Sequence, residues 1–170
     1  GNGEWLFLDL IARHAPAIDI FGANSYRGWH GFGRSLFGAV RQQLDKPVLI
    51  TEYGCPAFQT GVPRETAERD QALYHFGSWV DLLDNMAGRG DGNVIGGVVF
   101  EWSDEWWKAG QPPRALPTIQ ETKANWAGPF PGGYMFEEWL GLVSQGEGTA
   151  SPFLRHLRTS YRLYQELWNR

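Results

Sequence analysis

With 170 residues and a net charge of −4, the chain can form one ordinary domain that buries roughly 68–70% of its unfolded surface. It has no basic excess to neutralise phosphates, which argues against a nucleic-acid partner. No apolar run approaches the ~20 residues that cross a bilayer, and the single cysteine, Cys55, excludes an internal disulfide framework and a cysteine-rich metal site.

The first residues, Gly1-Asn2-Gly3, read as the start of a piece cut from a longer protein, so the lack of a signal-like segment leaves the compartment open. A secreted, periplasmic or membrane-attached setting of that longer protein would fit equally. Glu4 to His14 reads as the tail of an amphipathic helix stopped by Pro16. Ala17 to Asn24 is an apolar strand ending in the polar run Asn24-Ser25-Tyr26-Arg27, and a glycine-rich loop, 28–33, carries Trp29 and His30. Ser35 to Leu44 forms a short helix, and Asp45-Lys46-Pro47 turns the chain into a second strand that ends at Glu52.

A long helix is expected from Arg64 to Met86, with Ala72, Phe76, Val80 and Leu83 as its apolar stripe. The turn 89–93 leads to a third strand, Val94 to Phe100, followed by Glu101-Trp102-Ser103-Asp104-Glu105-Trp106-Trp107-Lys108. Residues 108–151 are rich in Pro and Gly with little periodicity, the pattern of a long functional loop. Pro152 to Trp168 reads as a last helix carrying Leu154, Leu157, Tyr161, Tyr164 and Leu167.

Continuous apolar strands separated by helices predict an α/β fold with a parallel sheet covered on both faces. Three strands cannot close a barrel, and open edges of buried-type strands favour association. No G-x-G-x-x-G follows a strand, so a dinucleotide site has no support, and no cofactor is expected.

The strand ends carry a resemblance. Asp19-Ile20-Phe21-Gly22-Ala23-Asn24-Ser25-Tyr26, then Lys46-Pro47-Val48-Leu49-Ile50-Thr51-Glu52-Tyr53-Gly54, then Gly96-Gly97-Val98-Val99-Phe100-Glu101-Trp102-Ser103-Asp104-Glu105 resemble strands six, seven and eight of a retaining (β/α)8-barrel glycoside hydrolase. The clan is the one whose acid/base and nucleophile glutamates follow strands four and seven. The motifs are similar to those of the β-1,3-glucanosyltransferases, with a related pattern in the β-galactosidase/β-glucuronidase family. The resemblance covers about residues 5–108, and the last helix fits the closing helix of the barrel.

The resemblance implies the C-terminal portion of a TIM barrel. Three βα units would occupy 1–107, a long loop over the cleft mouth 108–151, and a closing helix 152–170. It implies hydrolysis or transglycosylation of a β-linked, glucan-type oligo- or polysaccharide. Its acid/base glutamate lies before the first matched strand, so the chain alone is expected to be inactive on unactivated glycans, with activated aryl glycosides able to bypass the acid; it would be partnered by the missing part of the barrel or by a second copy. The glucanosyltransferases pair the cysteine after their Glu-Tyr-Gly; Cys55 has no partner here and is expected as a free thiol.

Retention needs two carboxyls about 5–5.5 Å apart, one attacking and one donating a proton. Glu52 is the expected attacker, and strict alternation groups it with Val48 and Ile50. The plain alternative is a surface glutamate in a salt bridge. Asn24, Tyr26, Trp102 and Asp104 are the expected substrate-binding residues; the alternative for the first two is a turn asparagine and a rim aromatic, while Trp106 and Trp107 could equally anchor the long loop. Asp104 and Glu105 have no spaced histidine or further oxygen ligands nearby, so no metal is expected. A non-catalytic carbohydrate-binding module and a self-associating half-barrel are the rival functions.

Overall fold

The three apolar segments pair side by side in the computed structural model, which describes residues 7–33, 35–108, 120–124, 126–145 and 155–169. They are β1 (Phe21–Asn24), β2 (Val48–Tyr53) and β3 (Val94–Val99), in the order β1-β2-β3 with both pairings parallel. Helices α1 (Leu8–His14), α2 (Leu36–Gln43) and α3 (Arg64–Asp84) alternate with them, because parallel neighbours need a long crossover. The expected helix–strand alternation is present, with β1 starting later than Ala17. Residues 1–6 lie outside the described set.

The described chain divides into two compact units, Gly1–Tyr53 with Gly77–Val99, and Gly54–Phe76 with Phe100–Arg170. In the first, Phe21, Ala23, Val48, Ile50 and Val94 turn one face of the sheet onto Leu8, Leu36, Phe37, Val40 and Leu82. Val48 and Ile50 are fully buried, and each such side chain contributes roughly 1.5–3 kcal/mol. Ile20, Ile95 and Val98, which point away from that face, are exposed among the described residues. Asp45 ends α2 by adopting φ 50°, and its N–H bonds back to the Val40 carbonyl at 3.1 Å; a short polar side chain tolerates this left-handed turn.

The strands are not strictly regular. Pairing slips between Ala23 and Asn24 in β1, and between Ile50 and Tyr53 in β2. Tyr53, not Glu52, therefore continues the buried set of Val48 and Ile50. The expected grouping of Glu52 with those two residues is corrected: an irregular register at the strand end turns it off the core face.

The second unit holds the first half of α3, α4 (Thr159–Trp168) and a small antiparallel pair, β4 (Trp126–Ala127) with β5 (Tyr134–Met135). Residues expected to form a loose loop supply its core: Phe130, Met135, Phe136, Leu140, Leu142 and Val143 are buried. The Phe130 ring stacks on Tyr74 at 5.9 Å, and the Phe136 ring meets Phe58 edge-on at 4.9 Å.

The expected stripe of α3 is corrected in part, since Ala72 is buried as expected. Phe76 and Val80 are exposed, while Gln71, His75 and Ser78 are buried. Two of these polar side chains, Gln71 and His75, can face inward because they find partners. Gln71 donates to the Cys55 carbonyl at 2.9 Å and accepts from the Ser160 hydroxyl at 2.7 Å, and His75 Nδ1 lies 3.1 Å from the Tyr164 hydroxyl. The last helix begins at Thr159; residues 155–158 are not helical, and 151–154 lie outside the described set.

Candidate active site

Glu52 ends the central strand, where β-branched and apolar residues hold the backbone between two parallel neighbours. Its own carbonyl accepts the Ser25 N–H at 2.8 Å. That bond carries the exit of β1 alongside the exit of β2. Tyr26, half-buried, then reaches across, and its hydroxyl donates to Glu52 Oε2 at 3.2 Å. Asn24 faces Glu52 in the register, and its Oδ1 accepts from the Thr51 hydroxyl at 2.7 Å.

Asn24, Tyr26 and Glu52 are thus gathered at one strand end. Glu52 is half-buried, so one carboxylate edge is held by a neutral donor while the group stays within reach of a ligand. Two cavities of about 250 and 290 Å³ in the same unit both touch Lys46, at the opposite end of β2, and neither is lined by Glu52 or Tyr26.

Gly97 belongs to the same local design. A Cβ on it would lie 2.9 Å from the Tyr53 ring and 2.7 Å from Leu82, so its lack of a side chain lets the ring following Glu52 settle into the core.

Trp102 and Asp104 lie in the second unit. Trp102 is 61% exposed, and its ring meets Tyr161 of α4 edge-on at 5.8 Å. Asp104 corrects its expected role: it is fully buried and committed to protein partners. Arg158 grips both of its oxygens at 2.6 Å, the Gln120 amide donates to Oδ2 at 2.7 Å, and the Gly141 N–H donates to Oδ1 at 3.0 Å. A carboxylate enclosed this way organises the fold and has no oxygen left for a sugar.

Glu101 was not among the expected site residues. Its Oε1 is enclosed without a hydrogen-bond partner among the described residues. Burial, reinforced by the charge of Glu105, pushes its carboxyl up to about 8 against the opposing pull of Lys108. Lys108 is tied to Glu105 at 3.1 Å and to Glu137 at 3.0 Å. The signal in the sequence was the density of Glu101, Asp104 and Glu105 behind an apolar strand. Among the described residues, no group of three or more His, Cys, Asp or Glu could hold a metal ion, and no helix is long and apolar enough to cross a membrane.

No protein-family model and no curated protein matches the chain. Solved structures do. A monomer structure of a hyperthermophilic β-glucosidase mutant matches with TM-score 0.52 and 16% identity, over 92% of this chain and 35% of that one. A β-D-glucuronidase for Dictyoglomus thermophilum matches at 0.48 and 14%, over 92% and 23%, and a Faecalibacterium prausnitzii β-glucuronidase at 0.46 and 17%, over 92% and 22%. The chain therefore spans 22–35% of the length of these structures. At such identities the likeness is one of fold, a mixed α/β arrangement with a parallel sheet, and it rests on the β-glucosidase match.

Proposed function

We propose that the chain is part of a (β/α)8 retaining glycoside hydrolase, matching about strands six to eight, and that Glu52 is its nucleophile. The observation that carries this reading is the half-buried carboxylate at the C-terminal end of a central parallel strand, bonded to the Tyr26 hydroxyl at 3.2 Å. In α/β folds with parallel sheets, chemistry gathers at that end of the strands. The fold likeness to a β-glucosidase agrees with it.

In this mechanism a Glu52 oxygen attacks the anomeric carbon of a β-linked, glucan-type sugar. The bond to the leaving oxygen breaks, and a glycosyl ester forms with inversion. Tyr26 holds Oε2, which orients the other oxygen for attack and shares the charge that returns when the ester is cleaved. A water, or the hydroxyl of an acceptor sugar, then attacks from the opposite face and restores the configuration. Asn24 lines the sugar site; in the other unit, Trp102 offers an exposed ring of its own. The acid/base glutamate of the resembled clan belongs to a strand other than the three matched here, so activated substrates are the informative ones.

The test is chemical rescue. With dinitrophenyl β-glucoside, the unaltered chain should release dinitrophenolate slowly. Glu52→Ala should release it only with added azide, giving the α-glucosyl azide. Release by Glu52→Ala without azide would remove Glu52 from the reaction.

A second reading, self-association through the open sheet, is favoured by the exposed Ile20, Ile95 and Val98. Sedimentation equilibrium decides it: a monomer at high concentration rules it out.

A further inference from the structure

We infer that Trp29 is a sugar-stacking platform, a binding residue for the extended part of an oligosaccharide whose reacting end sits at Glu52; this rests on the function proposed above. Trp29 is 62% exposed, yet the backbone that carries it is held from several sides. Its carbonyl is pressed so closely onto α3 that a Cβ at Gly77 would lie 1.7 Å from it. Two residues on, a Cβ at Gly31 would lie 2.3 Å from the Asp81 carboxylate. The Phe32 N–H donates to that carboxylate at 2.8 Å. Asn85 steadies the same aspartate, donating to Oδ1 at 3.0 Å. The Phe32 ring is buried and meets Tyr53 edge-on at 5.6 Å.

Gly28, Gly31 and Gly33 have φ values of 108°, 91° and 91°, a left-handed path that lets the loop turn within its short length. The loop is therefore preorganised, and its largest apolar side chain is left facing outward. The His30 ring packs against the indole with centroids 3.6 Å apart and an interplanar angle of 34°. One flank of the indole is thus braced and given a polar rim.

A rigid, exposed indole beside a polar ring suits a pyranose, whose axial C–H groups form an apolar face with hydroxyls around its edge. Position agrees with this. Trp29 follows Tyr26 by three residues, so their Cα atoms lie within about 11 Å of each other, and Tyr26 already touches Glu52. A short oligosaccharide spans that distance.

The experiment follows the Trp29 indole N–H by NMR, assigned by its loss in Trp29→Phe, during titration with laminaritetraose and cellotetraose. The expected result is a saturable shift of this signal by at least one of the two sugars. Binding should weaken about tenfold or more in Trp29→Ala, with Trp29→Phe between the two. Glu52→Gln should retain the Trp29 response while losing covalent labelling by a fluorinated glucosyl fluoride, so the two readings fail separately. An indole signal that neither tetrasaccharide moves, or a Trp29→Ala chain that binds as tightly as the unaltered one, overturns the inference.

Discussion

The Tyr26 hydroxyl meets Glu52 Oε2 at 3.2 Å although the two residues are 26 positions apart in the chain. The parallel pairing of β1 with β2 and the Ser25-to-Glu52 backbone bond make the meeting possible. A hydrogen bond to a charged group contributes about 1.5–3 kcal/mol. Tyr26→Phe should therefore slow attack on an activated glycoside by roughly 10- to 100-fold. The thermal midpoint should fall by several degrees as well, because the same bond is lost from the folded chain. Burst kinetics with a dinitrophenyl glycoside measure this.

Stability should depend on pH through two groups, the half-buried Glu101 and the buried His75. Glu101 is raised from 4.5 to about 8, chiefly by burial and then by Glu105. Burial lowers His75 from 6.5 to about 3. From 4.5 to about 8, folded Glu101 keeps a proton that the unfolded chain has lost, so stability falls as pH rises. From 6.5 down to about 3, folded His75 refuses a proton that the unfolded chain accepts, so stability falls as pH drops. The two slopes oppose each other between 4.5 and 6.5 and leave a plateau there. Thermal melts across the acid-to-alkaline range should show it. Glu101→Gln should flatten the alkaline side; an unchanged alkaline decline would assign it to other groups.

Asp104 and Arg158 form a buried pair with N–O contacts of 2.6 Å. Removing one partner strands the other charge, so Arg158→Met or Asp104→Ala should destabilise by about 3–5 kcal/mol. Denaturant unfolding measures the loss, and the double variant should recover part of it.

Gly54 leaves room for the chain beside it, since a Cβ there would lie 1.9 Å from the Phe100 carbonyl. Gly54→Ala must shift backbone, not a flexible side-chain tip. A loss of about 2 kcal/mol or more is expected in the same unfolding assay.

Much of the first unit was legible in the sequence, because parallel strands packed against helices are written as short apolar, β-branched runs such as Val48-Leu49-Ile50. The face of Glu52 was not, because the register slip after Ile50 breaks the two-residue period. The inward face of α3 was hidden by chemistry: Gln71 and His75 are polar, and their partners Ser160 and Tyr164 lie 89 residues away. The same distance problem concealed Asp104, whose partner Arg158 follows 54 residues later. The core residues between Phe130 and Val143 sit in turns and two-residue strands, where no repeat announces burial. The nearness of Asn24 and Tyr26 to Glu52 was legible because Asn24 ends the neighbouring strand and Tyr26 follows two residues later.

Covalent trapping reports on the Glu52 carboxylate itself. The chain is incubated with 2-deoxy-2-fluoro-β-glucosyl fluoride, digested and mapped by mass spectrometry. A single fluoroglucosyl ester is expected, on the peptide containing Glu52 and absent from Glu52→Gln. An ester on another carboxylate, with Glu52 unmodified, would contradict its role as nucleophile.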